Sequence, residues 1–295
     1  MDNLASLHVS VMLDEVVHWL DPRPGQIFVD GTLGGGGHTR ALAQRVGAGG
    51  LVVALDRDPA AISAAERNLA GMSVKLVAAD FRQTGEVLAQ LKLSAVNGIV
   101  LDLGVSSDQL ADTQRGFSFD SDGPLDLRFD PTAGRPAWQL IEKLNAYELA
   151  DLIYTYGEER HSRRIARHIV EQRGREPVRT ARQLADIVRR SVPRGKDTRR
   201  IHPATRTFQA LRIAVNDELE ALEETLSNSA NWLVSGARMA VISFHSLEDR
   251  IVKQAFRDDP RYTALTKKPL RPSQAEVDRN PRARSAKMRV AQRKP

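Results

Sequence analysis

The stretch that decides the fold is DGTLGGGGH, residues Asp30–His38, which follows the short apolar run Ile27–Val29. A helical pattern begins directly after it, over about Thr39–Val46. Glycines between a strand and a helix let the backbone approach a ligand closely, and the start of the helix offers free N–H groups. A glycine-rich loop alone is a weak indication of a particular ligand. The segments around it must therefore decide what it binds.

Apolar runs of strand length recur along the chain and alternate with helical patterns. An amphipathic helix is predicted over Val11–Leu20, and Asp58 with Pro59 forms a helix start, because the acid can cap it and proline suits its first position. Further strands are predicted at Leu51–Leu55, Val74–Val77, Val96–Leu101 and Met239–Phe244. This alternation is typical of a parallel sheet covered by helices on both faces. We expect an α/β fold with a Rossmann-like sheet.

Each of the first four predicted strands leads to an acid: Asp30, Asp56, Asp80 and Asp102. Ligands of open α/β sheets bind at the carboxyl ends of the strands, where Asp56 could accept the hydroxyls of a ribose and Asp80-Phe81 suits an adenine. Asp30 would repel the phosphates of a nicotinamide dinucleotide, whereas the ammonium and sulfonium of S-adenosylmethionine tolerate it. Helix capping alone would explain one or two of these acids. The pattern favours S-adenosylmethionine over a dinucleotide.

The strand and helix alternation stops near residue 112 and returns after residue 207. Residues 113–135 are rich in Asp, Gly, Pro and Arg and are expected to form a long loop, and residues 137–192 have a helical pattern without a strand. We therefore predict a discontinuous sheet domain over 1–112 and 208–295, interrupted by an all-helical insertion over 113–207. Another amphipathic helix is predicted over Val215–Leu226.

The charge of the chain is concentrated in two basic blocks. The 295 residues carry a net charge of +6, but residues 157–212 alone carry +10 and residues 261–295 carry +9, so the rest is acidic. One such block is often a solvated helix face or a disordered tail, but two on an acidic body favour a polyanion partner. From about residue 265 the chain has four prolines and few apolar residues, so we expect it to be extended over the surface or ordered by a partner.

The composition excludes several classes of chemistry. Cysteine is absent, which rules out disulfides, thiolate metal sites and a cysteine nucleophile, and the sequence requires no metal. Methylation of cytosine at carbon 5 usually needs that nucleophile, so a heteroatom acceptor is expected. No apolar stretch approaches the roughly 18 residues of a membrane span, and Met1–Ser10 has no secretion signal, so we expect a cytoplasmic protein without a membrane partner.

An exocyclic base amine is one heteroatom acceptor of this kind, although it is a poor nucleophile because its lone pair is delocalised into the ring. Amino-methyltransferases of nucleic acids often place an Asp/Asn/Ser-Pro-Pro-aromatic loop after the fourth strand. Here that position reads LDLGVSS over Leu101–Ser107, without prolines and without an aromatic residue directly after the acid. Phe117 and Phe119 follow soon after. They could stack on a flipped base or belong to the core of the loop.

Long blocks of the chain resemble the MraW/RsmH family of bacterial 16S ribosomal RNA cytosine-N4 methyltransferases. They include HVSVMLDEV (His8–Val16), DGTLGGGGHTR (Asp30–Arg40), ALDRDP (Ala54–Pro59), LDLGVSSDQL (Leu101–Leu110), RGFSF (Arg115–Phe119), GPLDLRFDP (Gly123–Pro131), YGEER (Tyr156–Arg160), HPATRTFQALRIAVNDEL (His202–Leu219), ISFHSLEDRIVK (Ile242–Lys253) and NPRARSAKMR (Asn280–Arg289). The resemblance implies transfer of a methyl group from S-adenosylmethionine to the N4 of one cytosine in the decoding region of 16S rRNA in the small ribosomal subunit. A glycine, Gly35, stands where the family often has an arginine.

The resemblance also implies a set of residues that bind S-adenosylmethionine. They are Gly36, Gly37, His38, Asp56, Phe81, Asp102 and Gln109. In this set Asp56 would bind the ribose and Phe81 would pack on the adenine. His38 would hold the methionine end or only cap the helix. Asp102 is the candidate catalytic residue, which would contact the methionine ammonium or orient the target amine.

Basic residues in the insertion and in the tail are candidates for RNA binding. They are Arg160, Arg163, Arg164, Arg199, Arg200, Arg206, Arg282 and Arg284. Arg160, Arg163, Arg164 and Arg167 are spaced to share one helical face, and phosphate contacts by such residues would set position rather than sequence. The stretch HSLED, His245–Asp249, could line the pocket or cap the next helix. The main alternatives are an RNA-binding module without methyl transfer and a dinucleotide-dependent oxidoreductase.

Overall fold

The computed structural model describes residues 9–193 and 202–295. They divide into two compact units, a sheet unit that ends at Ser107 and resumes at Leu219, and a helical unit over Asp108–Glu218. The change from one unit to the other thus falls at residues 107/108 and 218/219, where we expected it at 112/113 and 207/208. Within the described residues, no helix is both long enough and apolar enough to cross a membrane.

The sheet unit is built on seven strands. They are β1 (Ile27–Asp30), β2 (Leu51–Asp56), β3 (Val74–Ala78), β4 (Val96–Asp102), β5 (Leu233–Ser243), β6 (Tyr262–Ala264) and β7 (Lys287–Arg293). The spatial order is β3-β2-β1-β4-β5-β7-β6, in which the first five strands are parallel and β7 is antiparallel to both neighbours. The Rossmann-like sheet predicted from the apolar runs is confirmed.

Helices cover this sheet and position its strand ends. They are α1 (Leu13–Leu20), α2 (Gly37–Val46), α3 (Pro59–Asn68), α4 (Thr84–Gln90), α11 (Glu218–Ser229), α12 (Ser246–Asp258) and α13 (Gln274–Arg279). The predicted start of α3 is confirmed, because the Asp58 side chain accepts a hydrogen bond from Ala60 N at 3.0 Å and Pro59 is the first helical residue. Two apolar clusters pack on the sheet, one around Ile99 and Met239 and one around Phe28 and Met288.

The helical unit contains no strand among its described residues. Its helices are α5 (Ser107–Ala111), α6 (Ala137–Lys143), α7 (Ala146–Gly157), α8 (Ser162–Arg173), α9 (Ala181–Ser191) and α10 (Thr205–Asn216). The long connection between α5 and α6 is held by buried side chains, because Leu125 and Leu127 are both almost fully inaccessible to solvent. The helix predicted over Val215–Leu226 is two helices, α10 and α11, separated by Asp217 at a φ of 52°.

The expectation for the tail was wrong. Residues 287–293 form β7, which lies inside the sheet between β5 and β6, and Met288, Val290 and Ala291 are fully buried. The tail therefore contributes a buried strand to the folded core, which its composition did not predict. The reason is the alternation KMRVAQR, in which basic residues lower the average hydropathy of a strand that is nevertheless buried.

Candidate functional site

The glycine loop turns sharply between β1 and α2. Gly36 occupies the position before the helix with φ 79°, a left-handed conformation that favours glycine, and Gly34 also has a positive φ of 48°. Gly36 N donates to the Leu33 carbonyl at 2.7 Å, which closes the turn. The turn leaves the first N–H groups of α2 without helical acceptors, and such groups bind anionic parts of a ligand.

Asp30 holds this loop together. Its Oδ1 accepts from Thr32 N at 3.1 Å, and its Oδ2 accepts from Thr39 Oγ1 at 2.7 Å. The residue is fully buried, and burial raises its pKa above the ordinary value. Thr32 Oγ1 in turn accepts from Asp102 N at 2.6 Å, so the loop is tied to the end of β4. Asp30 therefore shapes the loop with both of its carboxylate oxygens.

Asp56 ends β2 directly beside the same loop. Its Oδ2 accepts from Gly34 N at 2.8 Å, and its Oδ1 accepts from Asp58 N at 2.9 Å. Burial raises the pKa of Asp56 to about 6. Each carboxylate oxygen has a second lone pair, so the group retains capacity to accept hydrogen bonds from a diol such as a ribose.

Asp80 and Phe81 have separate surroundings at the end of β3. The Asp80 carboxylate caps the short 3₁₀ helix Phe81–Gln83 and lies 3.2 Å from an Arg57 nitrogen and 3.4 Å from Arg82 Nε. Capping of this short helix therefore explains why an acid stands at position 80. Phe81 lies against the end of β1, where a Cβ placed on Gly31 would come within 3.0 Å of the Phe81 Cβ.

Asp102 ends β4 and carries an unused acceptor. Its Oδ1 is buried and has no hydrogen-bond partner among the residues that the structure describes. Its Oδ2 lies 3.8 Å from Nδ1 of His38. Burial raises the pKa of Asp102 to about 6; the charges of His38 and Arg282 oppose that rise, while Asp30 and Glu248 add to it.

His38 does not cap its helix. Gly36 holds the capping position, and the buried imidazole of His38 instead lies with Nε2 3.0 Å from the Val11 carbonyl oxygen. The ring therefore links the segment before α1 to the acid at the end of β4. The Oγ of Ser10, in the same segment, is buried without a partner among the described residues, and a Cβ on Gly37 would come within 2.0 Å of it.

These residues fit S-adenosylmethionine on the chemistry of their donors and acceptors. The unpartnered Oδ1 of Asp102 suits an N–H donor such as an ammonium, and Asp56 suits a pair of hydroxyls. Two buried acids with raised pKa values lie along one sheet edge, an arrangement in which a positively charged ligand lowers the energy of both. The glycine turn between them leaves N–H groups for a carboxylate.

Arg282, which the sequence analysis proposed as an RNA-binding residue, instead contacts the loop after β4. Its Nη1 donates to Ser107 Oγ at 2.6 Å, and its Nη2 donates to the Val105 carbonyl oxygen. The guanidinium thus holds the loop that follows β4. No sequence signal connects positions 105 and 282, because they meet only through the return of the chain to the sheet.

The other candidate residues for RNA binding are distributed as follows. Arg160 lies in the turn before α8 and not on the helix as its spacing indicated, whereas Arg163 and Arg164 are exposed on α8. Arg206 is exposed at the start of α10, 3.9 Å from a Glu159 oxygen, and Arg284 is exposed in the sheet unit. Arg199 and Arg200 lie outside the described residues. Gln109, predicted to bind the cofactor, lies half-buried in α5.

Packing bears on two alternatives that the sequence left open. Phe117 is buried and stacks on Phe129 with ring centroids 5.9 Å apart, and Phe119 stacks on His202 at 4.6 Å. The Phe117 ring therefore belongs to the interior of the helical unit, whereas Phe119 is half-buried. His245 caps α12, and Glu248 completes the capping box.

Comparisons with known proteins show which family the chain resembles. The model of the MraW methylase family matches residues 5–294. "Ribosomal RNA small subunit methyltransferase H" of Rhodopirellula baltica is 51% identical over 297 residues, covering 97% of this chain and 91% of the relative. The protein of the same name from Syntrophotalea carbinolica is 50% identical over 306 residues, covering 97% and 98%. The crystal structure of an rRNA methylase from Streptococcus thermophilus aligns with a TM-score of 0.45 at 11% identity, covering 96% and 94%.

The family match extends over almost the whole chain, including both parts of the sheet unit and the helical unit between them. S-adenosylmethionine, the cofactor predicted from the strand ends, is the methyl donor of this family. The chain therefore belongs to the MraW methylase family and is an S-adenosylmethionine-dependent methyltransferase.

Proposed function

We propose that the protein transfers a methyl group from S-adenosylmethionine to the N4 amine of one cytosine in the decoding region of 16S rRNA, within the small ribosomal subunit. The names of the two relatives support an rRNA substrate, and the family resemblance supplies the base and the atom. The observation that carries the proposal is the buried, unpartnered Asp102 Oδ1 at the end of β4, beside the glycine loop. Such a substrate belongs to the cytoplasm.

The cofactor roles follow from the positions of the strand ends. Backbone N–H groups at Gly36, Gly37 and His38 would hold the methionine carboxylate at the start of α2. Asp56 would accept the ribose hydroxyls, since it already lies against the loop at Gly34. Phe81 would pack on the adenine, and the family resemblance adds Gln109 to the residues that bind the cofactor.

Asp102 has the properties that the acceptor amine requires. The lone pair of an exocyclic amine is delocalised into the ring, so the amine must be held in line with the methyl group, and one of its protons must be accepted. When bound, S-adenosylmethionine supplies an electrophilic methyl carbon. The C–N bond then forms as the C–S bond breaks, and the amine loses a proton. A carboxylate whose pKa is raised to about 6 is a stronger base than an ordinary aspartate, so Asp102 can align the amine and take that proton directly or through water.

The helical unit would present the RNA. Its segment 157–212 carries a charge of +10, and Arg163 and Arg164 are exposed on α8. Each phosphate contact releases about one counterion from the RNA, and so steepens the slope of log K against log salt by about one. Replacing both arginines by alanine should therefore lower the slope of log K against log salt by about 2 if both contact phosphates. Filter binding to small-subunit RNA between low and moderate salt measures this slope.

The decisive experiment incubates the protein with labelled S-adenosylmethionine and small ribosomal subunits that lack the modification. Label on the N4 of a single decoding-region cytosine supports the proposal. Label on a ring carbon or a ribose hydroxyl contradicts it. RNA binding without any label would instead favour the RNA-binding module. Subunits that already carry the modification serve as the control and should accept no label.

A further inference from the structure

His245 lies at the same edge of the sheet as Asp102, one strand away. Strand β5 runs parallel to β4, with Ile242 opposite Asp102, and Leu103 N donates to the Ile242 carbonyl at 3.0 Å. The residues that follow β5 therefore emerge beside the end of β4. His245 is the third residue after Ile242 and begins the turn into α12.

Capping of α12 does not explain why a histidine stands here. The Nδ1 of His245 accepts from Glu248 N at 3.4 Å, which is at the long end of hydrogen-bond distances. Serine, aspartate and asparagine are the residues that cap helices most effectively, and each would do so with one short side-chain oxygen. The cap uses only one of the two imidazole nitrogens, so the other requires a separate explanation.

The second nitrogen of the ring is buried and forms no hydrogen bond within the described part of the chain, although a Glu248 carboxylate oxygen lies nearby. Because Nδ1 accepts a hydrogen bond, the neutral ring carries its hydrogen on Nε2. Nε2 is buried and forms no hydrogen bond with any residue that the structure describes, and the side chain is only 9% exposed. An unsatisfied buried donor is unfavourable, and such groups call for a ligand or another explanation.

The carboxylate of Glu248 lies beside this ring. Its Oε2 accepts from Phe244 N at 2.7 Å, and its Oε1 lies 3.1 Å from His245 Nε2 without forming a hydrogen bond. The negative charge of Glu248 also contributes to the raised pKa of Asp102, which agrees with their closeness at the sheet edge. The unused donor of His245 and the unused acceptor of Asp102 thus belong to the same end of the sheet.

We propose that Nε2–H of His245 donates a hydrogen bond to the ring nitrogen beside the target amine, so that Asp102 and His245 together select the base. The inference rests on the proposed function and adds a specificity residue to it. Cytosine presents an amine donor next to a ring nitrogen that accepts, and adenine presents the same pair. Uracil has no such amine, and on its Watson–Crick edge guanine carries a hydrogen on N1, the ring nitrogen beside its amine. An acceptor and a donor on neighbouring strand ends therefore match an amino base whose adjacent ring nitrogen is unprotonated.

Two substitutions separate base recognition from helix capping. His245→Asn places an oxygen where Nδ1 stands and so keeps the cap, but it removes the outer donor. His245→Gln reaches the Nε2 position with its amide nitrogen, but glutamine is a poor cap. His245→Ser, which also caps without an outer donor, repeats the test of the Asn variant if that variant does not fold.

The measurements are thermal midpoint, affinity for S-adenosylhomocysteine by calorimetry, and kcat/KM on unmodified small subunits at a temperature where every variant is folded. We expect His245→Asn to keep its midpoint and its affinity while kcat/KM falls at least tenfold, which equals about 1.4 kcal/mol. We expect His245→Gln to lose thermal stability but to retain more of kcat/KM than the Asn variant does.

The inference is refuted if the Asn variant has a higher kcat/KM than the Gln variant. If His245 serves only as a cap, the Asn variant will be as active as the unsubstituted protein and the Gln variant will be the impaired one. Mapping of the label in the unsubstituted protein tests the proposed function separately. Label at N4 together with an active Asn variant refutes only the role of His245, whereas label elsewhere refutes the proposed function itself.

Discussion

Replacing Asp102 by asparagine should stabilise the protein in the absence of cofactor and slow the reaction. Burial raises the pKa of this carboxyl to about 6, against an ordinary value of 3.8. Each pKa unit corresponds to about 1.4 kcal/mol, so holding the charged form at neutral pH costs the folded state up to about 3 kcal/mol. Asparagine has nearly the same shape without the charge, so the substitution removes that cost.

The direction of the pKa shift of Asp102 determines how the stability of the protein changes with pH. Between about pH 4 and pH 6 the folded state keeps a proton on Asp102 that the unfolded state has released. Stability therefore falls as the pH rises through this window, and the full cost is present above it. The asparagine variant lacks this contribution. Its advantage should be largest near pH 7.5 and should disappear near pH 4.

Thermal unfolding of the cofactor-free protein at both pH values measures this difference. At about 2–4 °C per kcal/mol for a domain of 150–250 residues, the midpoint at pH 7.5 should rise by about 5 °C or more. Asp58→Asn is the matched control, because asparagine caps α3 as well as aspartate does, and it should change the midpoint little. An Asp102→Asn protein that is less stable at pH 7.5, or equally stabilised at pH 4, would refute the reasoning.

The same variant should lose more than tenfold in turnover, since a loss of at least about 1.4 kcal/mol of transition-state stabilisation is expected of the group that aligns the amine. The affinity for S-adenosylhomocysteine then distinguishes the two possible partners of Oδ1. A contact with the methionine ammonium predicts weaker binding, whereas a contact with the target amine alone predicts unchanged binding. Near-normal turnover would remove Asp102 from the chemistry.

Three further outcomes are expected at the same end of the sheet. Asp56→Ala should weaken S-adenosylhomocysteine binding at least tenfold by calorimetry, and unchanged affinity would exclude its ribose contact. Gly37→Ala should weaken that binding too, because the new Cβ would come within 2.0 Å of Ser10 Oγ. Adding Ser10→Gly to this variant should restore binding. A double variant that binds as weakly as the single one would contradict the steric explanation. Arg282→Gln removes a positive charge that lowers the pKa of Asp102, so the acidic limb of the kcat profile should move to higher pH, whereas Arg282→Lys should move it less.

Strands β1, β2 and β4 could be predicted because almost every residue before their terminal acid is apolar. Buried parallel strands such as Val96–Asp102 stand out as continuous runs, and the acid that follows marks the carboxyl end. Strand β7 could not be predicted in this way, because basic residues interrupt its apolar ones. Arg289, for example, is buried and stabilised by Asp249 at 2.7 Å, a partner that the local sequence does not reveal.

In the candidate site, too, the contacts between residues close in sequence could be predicted and those between distant segments could not. Asp56 and the glycine loop meet within one strand and helix repeat, so spacing along the chain was sufficient to bring them together. The contacts that complete the site join distant segments, as when Arg282 holds the loop at Val105 and when Val11 meets the ring of His38. The sequence also could not show that one ring nitrogen of His245 caps α12 while the other forms no hydrogen bond with a described residue, because this depends on the orientation of the ring.

The place of β7 has a consequence for biosynthesis. A ribosome delivers a chain from its N-terminus, yet β7 inserts between β5 and β6, which are both made before it. Until residues 287–293 have emerged, the nascent polypeptide has an unpaired edge on β5, and such an edge invites mispairing and aggregation. A product released before that point would expose this edge to proteases and chaperones. The sheet of this methyltransferase can therefore be completed only after residues 287–293 have been synthesised.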